Sequence, residues 1–567
     1  MSFIHSTAPD GFVKFFVYKK EMMSTDGKET NLSDSKESTM IDVVSEIISI
    51  STSKPKSGGG TFTIMLGSNT NWKSLISLGS WCSIHMSDRK LNTGAQADQN
   101  CGMKMFGRVK SIRRREQVNP ANGAKIVRYV ISGEDFHSVL MSKIYINPML
   151  TSTKNGNSGG TKASPDTMRE LILFNGQTSL SLATPGVIVN KLIDAIIGNS
   201  IHLKDGKTGE QVEQIAGQSV KVGQPIHVPS SVFKYLLKSN GNDFAELLTR
   251  FVQGDLFGKL SSVNISIGDM VELWGMIETY SNRMLNDVYT DLMPFKLDDG
   301  SVHLVPGFIL RAIPFSSDAY MKSSLKESSC IAYTSAKPSK FNSKNSKAKN
   351  KSKAEADVLK SASARNSSFF ISKYIHEDEI IAFDSGRSDH SVFNFWFVNT
   401  SFFNFNTSTS MALAEIGDRD IVTFGNVASQ ARFGFRPYIS TTIYTEALDD
   451  GKSPSVFKGL NSSARILRDM WENAHLYESG SVTIIGSHLH IPVGTNIVFA
   501  ERGWMVHVES VSHTFSVEGS SGIKSFSTSI AFSRLSNLKG LPIDTQEKGN
   551  KSGTLGEWDR SANKGGS

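Results

Sequence analysis

The chain has 567 residues, of which 39% are hydrophobic, and it carries a formal net charge of +7. This length exceeds what one hydrophobic core organises, so we expect roughly three to five domains. No run of about eighteen apolar residues could span a bilayer, and the first residues lack the basic-then-apolar layout of a signal peptide, which predicts a soluble protein made in the cytoplasm and not inserted in a membrane. Three scattered cysteines, Cys82, Cys101 and Cys330, exclude a disulfide framework or a zinc knuckle.

The first part of the chain predicts an extension followed by a β-domain. Residues 1–60 are an N-terminal extension with one β-like run, Gly11–Tyr18. In residues 61–145, segments such as TFTIML and SWCSIHM have strand texture, which favours a first small tube-like β-barrel. Asp135 is placed at the start of a helix, where a carboxylate is stabilised by the helix dipole.

The middle of the chain predicts mixed α/β structure. Residues 146–266 contain apolar residues at helical spacing, as in PGVIVNKLIDAII, and form a helical or mixed insert. Residues 267–334 form the first part of a mixed α/β domain. Here we expect a helix capped by Asp269, a second helix from Leu285 to Leu292, and two strands joined by a turn at Pro306-Gly307.

A lysine-rich tract at residues 335–366 interrupts that domain. It holds nine basic and two acidic residues, which accounts for the whole net charge and leaves 52 basic and 52 acidic residues elsewhere. The folded remainder is therefore balanced, and no global basic surface is predicted. The tract is typical of a solvated linker or loop; contact with a nucleic acid or an acidic protein is the alternative.

The rest of the chain returns to β texture. Residues 367–463 form a mixed β domain, the second part of the interrupted one, and residues 541–567 form a polar tail. Residues 464–540 begin with a helix and continue with alternating apolar residues between glycine breaks, which predicts five short antiparallel strands in a second barrel. The predicted fold class is mainly β with α+β insertions: two similar small antiparallel β-barrels, as tube-like domains, plus mixed α/β middle domains.

The two predicted barrels contain similar segments in the same order. In the first, ISLGSWCSI is followed by Val109–Ile112 and then by Tyr129–Phe136; in the second, IPVGTNIV is followed by Val508–Val511 and then by Phe526–Phe532. Internal similarity of this kind suggests a duplicated module. Chance likeness between two antiparallel modules, which share G-x-x-V patterns, is the alternative.

Histidines give one candidate metal site. His488 and His490 alternate along a predicted strand and would share a face, while His507 and His513 lie on later strands. Three histidines would suit zinc. The pattern lacks a motif such as H-E-x-x-H, so solvent-facing or contact histidines are the favoured interpretation, and we predict no metal and no cofactor.

Catalytic motifs are absent from the sequence. It contains no G-x-S-x-G elbow, P-loop or G-x-G-x-x-G, and Gly58-Gly59-Gly60 precedes a strand, so it predicts a turn. Glu501 and Glu509 would be a candidate glycosidase pair, but acidic pairs in an antiparallel sheet are ordinarily surface groups. We therefore predict no catalytic residue.

The order of several segments resembles the central baseplate hub proteins of contractile-tailed bacteriophages, a group with the late-control tail proteins and the hub part of type VI secretion spikes. The matching segments are FTIML, LGSWCSI, GRVKSI, YVISGEDF, NDVYTDL, DGSVHLVPGFILRAIPF, SDHSVFNFWFV, RFGFR, HLYESGSVTI, HIPVGTNIVF, VHVESVSHTF and STSIAFSRL. Each is weakly specific alone, but their order covers nearly the whole chain. The N-terminal extension and the lysine-rich tract depart from the pattern.

This resemblance implies a structural protein, not an enzyme. It implies a homotrimer whose two barrels per chain make a pseudo-sixfold ring that joins the central spike to the tail tube and encloses a channel. The implied partners are the central spike protein, a tail tube or tube-initiator protein, the tape measure protein and surrounding baseplate proteins, with DNA only in transit. The implied location is the tail baseplate of the virion, assembled in the host cytoplasm. A cell-wall-degrading tail enzyme on a β-scaffold and a receptor-binding tail protein are the alternatives.

Overall fold

The computed structural model shows a protein built mainly of β-strands, as predicted. The described residues are 8–18, 38–91, 102–118, 123, 125–141, 143–145, 185–196, 213–215, 218–220, 228–241, 244–253, 256, 270–297, 301–315, 330–334, 371–400, 424–444, 456–518, 522–538 and 541–543. The lysine-rich tract and the polar tail beyond residue 543 lie outside them.

The first β-module, here called the N-module, consists of seven strands in the first quarter of the chain. They are β1 Asp10–Tyr18, β2 Ser38–Val43, β3 Ile47–Pro55, β4 Thr61–Leu66, β5 Trp81–Ser87, β6 Met103–Val118 and β7 Lys125–Asp135. Their order in the sheet is β3-β4-β7-β6-β5-β1-β2. Residues 10–55 of the predicted extension therefore contribute three strands to the same sheet as β4 to β7.

Short elements and a four-stranded sheet, here called the middle sheet, follow the N-module. The strands are β8 Lys143–Tyr145, β9 Glu213–Ile215, β10 Gln218–Val220, β11 Thr249–Gln253, β12 Met270–Glu272, β13 Asn286–Lys296, β14 Val302–Ala312 and β15 Cys330–Thr334. The middle sheet has the order β13-β14-β11-β15. Among the described residues, β8 pairs with β12 and β9 with β10 in small separate sheets.

The second β-module, here called the C-module, is assembled from two separate parts of the chain. The first part contributes β16 Ile371–Ile375 and β17 Ile380–Gly386. The second part contributes β21 Glu478–Ile485, β22 Asn496–Phe499, β23 Trp504–Glu518 and β24 Ile523–Asn537. Between these parts lies a small separate sheet of β18 Phe395–Thr400, β19 Phe424–Gly425 and β20 Pro437–Thr442. The order is β17-β21-β24-β23, with β22 between β23 and β16.

Eight helices are described. They are α1 Trp72–Leu75, α2 His137–Leu140, α3 Pro185–Ile196, α4 Ser230–Leu237, α5 Phe244–Leu247, α6 Leu273–Tyr280, α7 Val427–Phe433 and α8 Val456–Trp471. Trp81 and Phe106 of the N-module pack in one core with Trp274 of α6 and with α3 and α4, so the helical insert covers one side of that module. Within the described part of the chain, no helix combines the length and the apolarity needed to cross a bilayer.

Several local predictions were wrong. Residues 286–296 form strand β13, not a helix, because every one of them pairs with β14. Pro306 and Gly307 continue β14 without a turn, since Gly307 pairs with Asp291 on one side and with Thr249 on the other. The helix α6 has Glu272 as its N-cap, and Asp269 lies outside the described residues.

The closing stretch has four strands, not five, because residues 504–518 and 523–537 form one long hairpin. Two similar modules are present, as predicted. Within the described strands, however, no ladder joins β2 to β3 or β16 to β17. The hydrogen-bonded closure expected of two barrels is therefore not found.

Candidate functional site: the junction of the two β-modules

The two modules repeat the same strand order and the same register. Strands β4-β7-β6-β5 of the N-module correspond to β21-β24-β23-β22 of the C-module. Trp81 lies opposite Arg108 in the first, and Asn496 lies opposite His507 in the second. If these two pairs are equivalent, the next three pairs of β5 and β6, up to Ile84–Met105, correspond one by one to the next three pairs of β22 and β23, up to Phe499–Trp504. Strands β5 and β6 thus pair in the same register as β22 and β23, which supports duplication of the module over chance likeness.

A shared irregularity in the long hairpins strengthens the equivalence. In the N-module, pairing shifts between Val109 and Ser111, and in the C-module it shifts between Val508 and Ser510. Each shift is a β-bulge that inserts one residue and bends the strand. These positions are the V-x-S segments that the sequence comparison aligned, so the predicted repeat has a structural counterpart.

A glycine turn meets each bulge through the same two backbone hydrogen bonds. In the N-module, Gly79 N–H donates to Val109 O at 2.8 Å, and Val109 N–H donates to Ser80 O at 2.9 Å. In the C-module, Gly494 N–H donates to Val508 O at 2.8 Å, and Val508 N–H donates to Thr495 O at 2.9 Å.

Both glycines of these turns need a backbone conformation that favours glycine. Gly79 has φ +82° and Gly494 has φ +72°, which is the left-handed region that side chains with a Cβ avoid. The likeness of the segments around LGS and VGT in the sequence is therefore a likeness of backbone geometry.

The strand before each repeat is also equivalent. Ile47 pairs with Leu66 and Ser49 with Met65 across a register shift, and Ile380 pairs with Ile484 and Ala382 with Thr483 across a similar shift. Strand β17 therefore stands in the C-module where β3 stands in the N-module. The sequence comparison did not include these two strands.

The modules are fused edge to edge through β3 and β23. Seven consecutive residue pairs, from Ser49–Ser516 to Pro55–Ser510, form an antiparallel ladder. The aromatic rings of Phe515 and Phe526 enter the core of the N-module. The junction thus joins both modules in one continuous sheet, and it is the candidate functional site of the chain.

A buried polar network lies beneath this ladder. Lys54 Nζ, on β3, lies 2.5 Å from Asp135 Oδ2 and donates to Thr290 Oγ1 at 3.1 Å. His137 N–H donates to Asp135 Oδ1 at 3.1 Å, and His137 Nδ1 lies 3.0 Å from Thr290 Oγ1. Asp135 therefore lies beside the start of a helix, as predicted, but it also holds a lysine of the junction.

Burial governs the titration of this network. Desolvation raises the pKa of Asp135, against the opposing effect of the Lys54 charge. Desolvation, aided by the Lys54 charge, lowers the pKa of His137 to about 3. At neutral pH the imidazole is therefore neutral and serves as a hydrogen-bonding group.

Strand β13 connects the network to the C-module. Asp291 Oδ2 accepts from Val493 N–H at 2.6 Å, and Asp291 Oδ1 lies 3.2 Å from His490 Nε2. Earlier on the strand, Asp287 lies 3.0 Å from Lys56 Nζ. Polar side chains of one strand of the middle sheet therefore hold both modules.

Arg311 of the neighbouring strand β14 contributes a second contact to the C-module. Its Nη2 donates to Gly494 O at 2.5 Å and lies 3.4 Å from Asp287 Oδ2. Its side chain is 1% exposed. The charged groups at the junction therefore neutralise each other within the protein.

A cleft of about 260 Å³ opens beside these groups. Its lining includes Lys56, Arg283, Asp287 and Glu509. Each of them already has a partner, since Lys56 pairs with Asp287, Arg283 with Glu278, and Glu509 accepts a hydrogen bond from Ser533. The cleft is part of the junction.

The structure gives the four candidate histidines four different partners. His488 and His490 lie in the connection between β21 and β22, not on a strand. His488 faces Asp88, His490 faces Asp291, His507 faces Asn496 and His513 faces Thr528. Within the described ranges, no group of three or more His, Cys, Asp or Glu side chains is arranged to hold a metal ion.

The two candidate glutamates also have separate partners. Glu501 lies in an exposed turn with its Oε1 2.7 Å from His376 Nδ1, while Glu509 is the residue inserted at the bulge of β23. Gly58–Gly60 form part of the connection before β4. Cys82 is fully buried, and desolvation raises the pKa of its thiol far above the ordinary value, which makes it an unreactive core residue.

Sequence reasoning missed the residues that hold the junction. Lys54, Thr290, Asp291 and Arg311 were not singled out. A signal was present in NDVYTDL, where four polar residues, Asn286, Asp287, Thr290 and Asp291, alternate with apolar ones. In a buried strand such residues require partners, and here the partners come from both modules.

Comparisons with known proteins gave similarity at the level of structure alone. No family model matches the chain, and no curated protein matches. The chain is similar to a tail protein from Neisseria meningitidis MC58, with 9% identity, 93% of this chain and 96% of that one covered, and a TM-score of 0.38.

Two further solved structures are similar at the same level. The 43 kDa tail protein of prophage MuSo2 from Shewanella oneidensis has 9% identity, 94% and 99% coverage and a TM-score of 0.39. A component of the E. coli type VI secretion system has 7% identity, 88% and 74% coverage and a TM-score of 0.32.

Proposed function

We propose that this chain is a structural hub protein of a contractile phage tail baseplate or a related injection machine. In this proposal three copies form a ring that joins a central spike to a tail tube. The observation that carries the proposal is the duplicated module, with equivalent registers and equivalent bulges at Val109–Ser111 and Val508–Ser510. The order of sequence segments that resembles the hub family supports it.

A duplicated module offers a physical reason for such a ring. Three copies with two modules each present six similar modules in a cycle, while the whole assembly keeps threefold symmetry. One face of the ring could then match a sixfold tube and the other a threefold spike. The fusion of both modules in one sheet through β3 and β23 holds adjacent modules in a fixed arrangement, as a ring of this kind requires.

The proposed partners follow from that position. They are the central spike protein, a tube or tube-initiator protein, the tape measure protein and the surrounding baseplate proteins, with DNA passing only in transit. The proposed location is the tail baseplate of the virion. The proposed role is non-enzymatic, and it is supported by the pairing of the junction's charged groups with each other.

Light scattering and electron imaging of the purified chain test the proposal. We expect a particle of three times the 62.0 kDa chain mass that appears in images as a ring with six similar densities. A chain that remains monomeric at micromolar concentration and digests peptidoglycan would overturn the proposal in favour of a tail enzyme. A monomer that binds host surface glycans would overturn it in favour of a receptor-binding protein.

A further inference from the structure

At the junction, the edges of β3 and β23 pair with each other. Among the described strands, the equivalent edges of β17 and β6 have no such partner. In the C-module, β23 pairs with β24 on one side and, from Ser510 onward, with β3 on the other. In the N-module, β6 pairs with β7, but among the described residues its other edge has no strand beyond Arg108. Strand β17, the counterpart of β3, ends the described ladder and pairs only with β21.

Exposure along β17 shows the same difference. Ile50, Thr52 and Lys54 of β3 are buried. Of the equivalent residues, Phe383 and Ser385 on β17 are partly exposed, and Arg387, directly after the strand, is exposed. Ile381, which lies at the register shift between Ile380 and Ala382 on the same strand, is apolar and 60% exposed.

Exposure along β6 is consistent with an uncovered edge too. Val511, His513 and Phe515 of β23 are each at most 3% exposed. Of their equivalents on β6, Ile112 is partly exposed, and Arg114 and Glu116 are exposed. Both edges are thus uncovered at positions that the junction within the chain covers.

We propose that β17 of one copy of this chain pairs in antiparallel fashion with residues 112–117 of β6 in the next copy, with the register of the β3–β23 ladder. This inference rests on the proposed function, because it supplies the contact between neighbouring copies of the ring. An exposed strand edge is a ready template for another strand, and main-chain pairing of this kind is an established mode of association. The occupant of each edge is a second copy of this chain.

The register follows from the equivalences. Ser51 pairs with Thr514 at the junction, and their counterparts are Asp384 and Arg115. Ile50 pairs with Phe515, and the counterparts are Phe383 and Glu116. The six proposed pairs, from one end of the ladder to the other, are Ala382–Gln117, Phe383–Glu116, Asp384–Arg115, Ser385–Arg114, Gly386–Arg113 and Arg387–Ile112.

Charge supports this register. Arg115 is exposed within a run of three arginines, Arg113 to Arg115, and Asp384 is an exposed residue of β17. Within the described part of the chain, neither Arg115 nor Asp384 has an ion-pair partner. Residues directly opposite each other in an antiparallel pair point to the same face with Cβ atoms about 5 Å apart, so the proposed pairing places opposite charges side by side.

The two edges differ from each other, so the contact is head to tail. A head-to-tail contact either closes into a ring or extends into a filament. In the proposed ring the same ladder is repeated alternately within and between copies, and the circle closes after three copies.

Cysteine cross-linking tests the pairing in the full-length protein. The double variant Arg115→Cys/Asp384→Cys places two thiols opposite each other, within the Cα separation that a disulfide accepts. We expect mild oxidation to yield covalent dimers and trimers on a non-reducing gel. The matched control is Arg114→Cys/Asp384→Cys, whose first thiol points to the other face of β6, and it should remain uncross-linked like the wild-type chain.

The outcomes separate this inference from the proposed function. A chain that is trimeric by light scattering but does not cross-link at residues 115 and 384, or cross-links equally well in the control, overturns the pairing and leaves the ring intact. A chain that is monomeric overturns the ring and the pairing together. As a second measurement, Arg115→Glu and Asp384→Arg should each weaken association about two- to fivefold, and the combined charge swap should restore it; failure of the swap to restore association counts against the register.

Discussion

Lys54 and Asp135 form a buried ion pair at the junction of the two modules, with Nζ 2.5 Å from Oδ2 and side-chain exposures of 8% and 3%. The lysine lies on β3, which carries the ladder to the C-module, and the carboxylate lies at the end of β7. Each of these buried charges requires its partner, because water cannot reach the site to solvate a charge that is left unpaired.

Removal of the lysine charge is therefore expected to destabilise the fold strongly. Lys54→Met should lower the free energy of unfolding by about 3–5 kcal/mol, because the Asp135 carboxylate is left buried without its cationic partner. Urea denaturation measures the loss. Lys54→Met/Asp135→Leu, which replaces both charges by apolar groups, should recover most of it.

The control for this change is an ion pair on the surface. Lys110 lies 3.3 Å from Glu134, and their side chains are 50% and 47% exposed. Lys110→Met should cost about 1 kcal/mol or less. Equal losses for Lys54→Met and Lys110→Met would show that the buried network does not hold the junction.

Acid should destabilise the protein through His137. Burial lowers its folded-state pKa to about 3, below the ordinary 6.5, so the unfolded chain takes up the proton first as the pH falls. The stabilisation is complete above about pH 6.5 and is lost as the pH decreases toward 3. Between pH 7 and pH 5 the loss from this residue alone should be about 2 kcal/mol.

The variant His137→Asn isolates that contribution. It keeps a hydrogen-bonding group near Thr290 but cannot titrate, so its stability should fall less steeply between pH 7 and pH 5. Urea denaturation at several pH values gives both profiles. Asp135, with its pKa raised by burial, contributes in the opposite direction, since its stabilisation is present at low pH and is lost as the pH rises. Parallel profiles for the variant and the wild type would refute the assignment to His137.

Substitution of Gly494 by alanine should destabilise the protein more than the same substitution at Gly503, which also has a positive φ. A Cβ added at Gly494, which has φ +72°, would lie 2.6 Å from the ring of Tyr289, whereas at Gly503, with φ +63°, it would meet nothing within 4 Å. Gly494→Ala should cost about 1–3 kcal/mol more than Gly503→Ala, because only the first adds overpacking to strain. Thermal unfolding compares the two, and equal losses would mean that the contact with Tyr289 is easily relaxed.

The sequence predicted the repeat because the repeat depends on local backbone requirements. The glycine turns at Gly79 and Gly494 and the bulges after Val109 and Val508 leave residue-type signatures that survive without an alignment. The β-rich class followed from alternation along strands such as β21, in which Val482 and Ile484 are buried.

The errors arose where tertiary contacts outweigh local pattern. Leu285, Val288 and Leu292 have helical spacing, but Val288 and Leu292 lie on the edge strand β13, whose partner β14 decides the conformation, and Leu285 lies just before it. Pro306 suggested a turn, yet it lies within β14 opposite Leu292. Lys54 contacts Asp135 and Thr290 across sequence separations of 81 and 236 residues, and no local pattern encodes such partners.

The ladder between β3 and β23 has a consequence for biosynthesis. The hydrophobic interior of the N-module includes Phe515 and Phe526, which the ribosome adds long after β3, since paired residues such as Ser53 and Ser512 are 459 positions apart. Until then the nascent N-module has a bare edge at β3 and lacks two aromatic side chains. The N-module can therefore complete its fold only after β23 and β24 have been synthesised, and until then its bare edge is open to premature strand pairing.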